Sequence, residues 1–219
     1  MTEDDGVKRQ QTHEIAEECA REAAQAGDKY EELLAEGLRY ASRAAFPGAM
    51  DWRRAVRALG EAIALRPDEP MAYFNLGSVL QSSGHCVEAT QRYLEAKERF
   101  PVGSEPWAKA TSSAFDRLTE KECGEAAKPE WWYDDELKVL SGRVVEAAPS
   151  YVKANQMRAV VLHGRSSGAW EVGPRSSAEL KEAAAYYERA VALYDVPTGT
   201  AQLELTRLSD ECRSRAAAM

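Results

Sequence analysis

With three histidines and four cysteines in 219 residues, the chain holds little of what metal centres and nucleophile–base pairs are built from. Cys19, Cys86, Cys123 and Cys212 lie far apart, in expected helices or at their edges. That spacing fits no zinc or redox motif and points to reduced thiols in an intracellular, cytoplasm-like compartment. His13, His85 and His163 stand in no ligand spacing with a cysteine or with one another, so no metal site is expected. Cys86 follows His85 directly, and adjacent side chains diverge on a helix, which argues against a nucleophile paired with its base. Phosphate-cradling loops are missing too: GAWEVG and SGHC lack both the lysine and the preceding strand such a loop needs. No cofactor and no catalytic residue are expected, and the chain reads as a non-enzyme.

Long apolar runs are absent as well. None approaches the ~18 residues needed to cross a membrane, and the start, MTEDDGVKRQ, is acidic and polar, unlike a secretory signal. Positive charge is in deficit, with a net charge of −8 and a pI of about 5.1. A chain of that sign has no general attraction for phosphate backbones, so nucleic acid is not an expected partner. The cluster Arg53, Arg54, Arg57 reads as a solvated helix face, and Asp4-Asp5 and Asp134-Asp135 as solvating or helix-start charge. Clusters of β-branched residues are scarce, while alanine, glutamate, leucine and arginine dominate. The expected class is all-α, in one continuous body with 44% hydrophobic content to supply its core.

What is present is a repeat. In AYFNLGSVLQSSGHCVEA, residues 72–89, Tyr73, Leu76, Val79 and Leu80 recur at amphipathic-helix spacing, yet Gly77 interrupts the run at a cost of roughly 1 kcal/mol against alanine. Ala55, Leu59, Ala62 and Pro67 return as Ala89, Tyr93, Ala96 and Pro101, each 34 positions on, and Tyr73 is followed at the same interval by Trp107. Residues 70–103 give an aromatic (Tyr73), Leu76-Gly77, an apolar residue (Leu80), then Ala89, Tyr93, Ala96 and Pro101. This pattern resembles the tetratricopeptide repeat (TPR), a pair of helices repeating every 34 residues. Gly77 then has a packing role: a small residue in the first helix lets the second approach closely, with Ala89 and Ala96 serving the same end and Tyr73 and Tyr93 filling the space around them. Gly84 is expected at the turn between the helices, and Pro101 beyond the end of the second.

The resemblance implies an α-solenoid of antiparallel helix pairs, a TPR-like right-handed superhelix with capping helices. An N-terminal helix is expected within residues 1–27, followed by about four repeats over 28–195 (28–69, 70–103, 104–149 and 150–195). A C-terminal capping helix over 196–219 would bury Leu203, Leu205 and Leu208. Asp28 with Glu31 and Ser176 with Glu179 read as helix starts, and Ser104 opens the third unit. A helix from about Asp134 to Ala147 is placed by position more than by its residues. Insertions relative to the family pattern fall near 44–50, 122–134 and 164–177.

Proteins resembling this family bind peptides or partner subunits in a groove lined by the first helix of each repeat. By that resemblance the groove here presents Leu34, Leu38, Phe74, Asn75, Ser78, Glu105, Lys109, Ser112, Lys153 and Gln156. The family's clamp for a C-terminal carboxylate uses cations and amide donors. Here Leu34 and Leu38 remove donors and Glu105 reverses a charge, so such a clamp is not expected. The insertions offer a second candidate surface, an edge carrying Phe46, Trp131, Trp132, Tyr133 and Trp170, since aromatic residues dominate protein–protein hot spots. Against it stands the reading that these aromatics fold back over helix ends. The expected function is a non-catalytic protein–protein interaction module: an adaptor, or a subunit or assembly factor of a larger complex. Self-assembly into a homo-oligomer is the second reading, and an enzyme without a recognisable motif the third.

Overall fold

The computed structural model describes residues 28–43, 51–123, 125–194 and 199–219, together with Glu18 and Arg21, both helical and exposed. The expected N-terminal helix otherwise lies outside the described residues, as do most of the first insertion and Phe46. Among the described residues all regular structure is helical, and no helix is long and apolar enough to cross a membrane. Where one continuous body was expected, the chain divides into two compact units, residues 1–99 and 100–219.

The first unit contains α1 (Lys29–Arg43), α2 (Asp51–Leu65), α3 (Pro70–Ser82) and α4 (Cys86–Arg99). Each start follows from its sequence. The Asp28 carboxylate accepts the Tyr30 backbone N–H at 3.0 Å, meeting a donor that a first helical turn leaves open, and Pro70 begins α3 where its missing N–H costs nothing. Gly84 takes up a left-handed φ of +83° in the turn between α3 and α4. Helix α1 packs on α2, α2 on α3, and α3 on α4. Tyr30, Leu33, Ala58, Ala62 and Ala72 form one core cluster; Ala55, Leu59, Leu76, Val79, Leu80 and Ala89 form the next.

Gly77 does what its placement predicts. A methyl group there would stand 2.9 Å from two ring carbons of the buried Tyr93, so α3 and α4 sit closer than any side chain at 77 allows. Gly37 on α1 repeats the device, where a Cβ would meet Leu59 of α2 at 2.5 Å. The Tyr93 hydroxyl reaches back to α3, donating to Gln81 at 2.9 Å and lying 3.2 Å from Ser78 Oγ.

The second unit contains α5 (Glu105–Thr119), a 3-10 turn (Lys121–Cys123), α6 (Asp134–Ala147), α7 (Val152–His163), α8 (Ser177–Ala192) and α9 (Thr200–Ala217). Ser104 caps α5 through the Trp107 N–H, and Ser176 and Glu179 form the expected reciprocal capping box on α8. Helix α5 packs on α6 and α7, α6 on α7, α7 on α8, and α8 on α9. Ala159 and Leu162 of α7, Ala183, Ala184, Tyr187 and Ala190 of α8, and Leu205, Leu208 and Cys212 of α9 make one buried cluster. Leu203 does not join it: it is 70% exposed, because Leu205 and Leu208 point to α8 and Leu203 falls on the opposite side of α9.

Candidate functional site

In the first unit, α1, α2 and α3 leave a cavity of about 360 Å³ lined by Leu38, Ala41, Trp52, Asn75, Ser78, Val79, Ser82 and Ser83. Three of these, Leu38, Asn75 and Ser78, are residues the groove reading names; Phe74 and Leu34 are half-buried nearby in sequence but do not line it. Among the described residues no lining side chain carries a charge. The three serine hydroxyls are turned inward to their own helix: Ser78 to Phe74 O at 3.2 Å, Ser82 to Ser78 O at 3.0 Å, Ser83 to Val79 O at 3.0 Å. Such back-bonding keeps the α3 wall compact and leaves each hydroxyl oxygen able to accept. Asn75 differs. Its half-exposed side chain forms no hydrogen bond with any described residue, so its amide presents two donors and an acceptor to whatever enters.

Trp52 forms an apolar wall of this cavity. Its ring lies 4.9 Å from that of His85, whose Nδ1 is 3.1 Å from Ser83 Oγ, so the indole is backed by a fixed neighbour. Trp52, Val79, Ser82 and Ser83 were not among the sequence-derived site residues. A signal existed for two of them: Val79 and Ser82 stand one helical turn beyond Asn75 and Ser78 and so share their face.

The groove residues of the second unit are placed differently. Lys109 pairs with Glu105 one turn earlier at 2.7 Å and sits over the Tyr151 ring. Lys153 of α7 bridges to Asp116 of α5 at 2.8 Å, and Gln156 donates to the Tyr194 hydroxyl at 3.2 Å. Ser112 is buried and bonded to Ala108 O at 2.8 Å. It therefore cannot line a groove, because neighbouring helices cover the α5 face that carries it.

The expected aromatic edge is corrected in part. Trp132 and Trp170 are 8% and 7% exposed and pack around Phe115 of α5 with ring centroids 5.5 and 5.8 Å away. Their indole N–H groups are both used, Trp132 donating to Ala169 O at 2.7 Å and Trp170 to Asp134 Oδ1 at 3.1 Å. Burying two large rings whose polar atoms are satisfied fastens the second and third insertions together instead of presenting them. Trp131 is half-buried against Trp132, and Tyr133 alone of the described set is exposed.

Arg175 locks this assembly. Its side chain is 3% exposed, and its guanidinium forms a bidentate pair with Asp134 at 2.5 and 2.7 Å, while also donating to Val161 O at 2.8 Å. Burial alone would raise the Asp134 carboxyl, but the hydrogen bonds from Arg175 and Trp170 outweigh it and bring its pKa down to about 2. Glu179 behaves alike: burial opposes, while the Ser176 N–H and Lys138 prevail and set it at about 2. These are structural groups, each engaged by a partner from within its own unit. No protein-family model matches the chain, and no curated protein matches it in sequence.

Proposed function

We propose that the protein is a non-catalytic protein-interaction module of TPR-like helix pairs, serving as an adaptor or as a subunit or assembly factor of a larger complex. In this reading the α3–α4 pair is the best-formed repeat, further pairs extend a solenoid, and α9 acts as its closing helix. The ligand is an extended, uncharged peptide segment of a partner protein, seated in the cavity of the first unit.

The observation that carries this reading is the Asn75 amide, unpartnered among the described residues, at a cavity of about 360 Å³ with an uncharged described lining. An asparagine side chain repeats the donor and acceptor of a peptide bond, so it can hold backbone of any sequence. Leu38, Val79 and Trp52 supply apolar walls for one side chain of the segment, and an uncharged lining penalises an ionised one through desolvation. Selection from a displayed random-peptide library against the purified protein tests it. Enriched peptides should share one bulky apolar residue with no adjacent charge, and their binding should fall at least tenfold with Asn75→Ala and not with Lys153→Ala. Enrichment of acidic carboxyl-terminal peptides, or binding indifferent to Asn75, would overturn the reading.

A further inference from the structure

His163 is the last residue of α7 and is 2% exposed. Its ring meets both following helices: Nδ1 lies 3.3 Å from the Tyr187 hydroxyl on α8, and Nε2 lies 3.3 Å from a Glu211 carboxylate oxygen on α9. The ring also stands edge-on to Tyr187, with centroids 5.9 Å apart. A neutral imidazole carrying its proton on Nε2 satisfies both contacts, donating to Glu211 and accepting from the Tyr187 O–H. A second proton, on Nδ1, ends that arrangement. Nδ1–H would face the Tyr187 hydrogen, and the hydroxyl would have to turn its proton into a core made of Leu162, Leu205, Leu208 and Cys212.

The charges around the ring act in both directions. Burial disfavours the imidazolium; Glu211 opposes this, while Arg215 on α9 and Arg165 just past α7 add to it, so the His163 pKa lies below its ordinary value. Arg165 is itself tied to Glu204 of α9 at 3.0 Å. From α8 the ring faces Tyr187, whose hydroxyl stays protonated because burial drives its pKa up; Cys212 of α9, which shares the buried cluster of Tyr187, is pushed by burial to about 11. On the other flank of α7, Asp134 and Lys138 of α6 are engaged with Arg175 and Glu179, and Asp116 of α5 with Lys153. Helix α9 is also tied to α8 by Ser209, which donates to Ala184 O and to Glu188, by Ser177 donating to Ala216 O, and by an ion pair between Arg213 and Glu188.

We propose that His163 is an acid-sensitive latch: neutral, it holds α9 against α7 and α8; protonated, it releases α9 and uncovers the apolar core beneath. The sign follows from linkage. Released, His163 takes up protons with the ordinary value of about 6.5, and in place it resists them, so release is favoured as pH falls below that value.

Hydrogen exchange of the intact protein, corrected for intrinsic rates, tests this at pH 7.5 and 5.5. Protection of residues 205–212 should fall by up to about tenfold, the protonation factor of a released histidine one unit below its pKa, while residues 137–145 of α6 keep theirs. His163→Gln retains a donor and an acceptor without titrating, and should remove the pH dependence. If that variant fails to fold, histidine carbon-13 titration of the wild type replaces it, with the His163 signal expected to titrate below 6.5. Equal protection of α9 at both pH values, unchanged pH dependence in His163→Gln, or a His163 titration at or above 6.5 would each overturn the proposal.

Discussion

Two glycines inside helices show how one residue type takes opposite roles. At Gly77 a methyl would press on the Tyr93 ring at 2.9 Å, and that ring is anchored through its hydroxyl to Gln81. At Gly60, in the middle of α2, the same methyl would meet nothing within 4 Å. Alanine gains roughly 1 kcal/mol over glycine in a helix interior, whereas overpacking a core costs about 1–3 kcal/mol. Gly60→Ala should therefore stabilise the protein by up to ~1 kcal/mol, and Gly77→Ala should destabilise it by up to ~2 kcal/mol once the propensity gain is subtracted. Urea unfolding of both variants checks the contrast; a stabilised Gly77→Ala would refute the close approach of α3 and α4. Gly77→Ala with Tyr93→Leu should lose less than the two single changes added together, because the smaller side chain removes the clash.

Among the elements, the two described insertions behave as one clamp on α6. Asp134 is the first residue of that helix and Arg175 lies 41 positions later, yet the pair is almost fully buried. Removing one partner of a buried pair leaves the other uncompensated and costs about 3–5 kcal/mol, so Arg175→Ala should fall near the lower end of that range because Lys138 remains 3.4 Å from Asp134. The pair also sets an acid limit. Asp134 and Glu179 both hold pKa values of about 2, below the ordinary carboxylate values of 3.8 and 4.5. Depressed carboxylates stabilise the fold fully above those ordinary values and lose that contribution as pH falls from about 4.5 towards 2. Urea midpoints measured across this window should decline steeply in the wild type and less steeply in Arg175→Ala; parallel declines would show that Asp134 owes its acidity to something else. Much at this scale was legible from sequence. The 34-residue spacing located α2, α3 and α4, and α6 spans the residues its position suggested, because helix caps and small–bulky alternation are local signals. The fate of Trp132 and Trp170 was not legible. Whether a loop tryptophan packs or projects depends on partners such as Phe115 and Ala169, which no local periodicity reports. Leu203 failed for a related reason: three leucines at 203, 205 and 208 cannot share one helical face, and only a packed neighbour decides which pair is buried.

For the molecule as a whole, the claim that matters is that a partner segment occupies the neutral cavity between α1, α2 and α3. Composition argued against classes of partner, and the repeat suggested first-helix faces, but the cavity could not be read in advance because Trp52 comes from a second helix and closes one wall by packing. The pH latch at α9 and the clamp at α6 belong to the second unit, and the cavity belongs to the first. The most direct measurement is site-specific photo-crosslinking. A photoreactive phenylalanine analogue placed at Ser82, an exposed cavity-lining residue, is compared with the same analogue at the exposed Lys181 of α8. In extract from the native source, the account predicts a crosslinked partner protein at position 82, lost when Asn75→Ala is introduced and absent at position 181. Equal crosslinking at both positions, no product at 82, or a product that is only a second copy of this chain would contradict it.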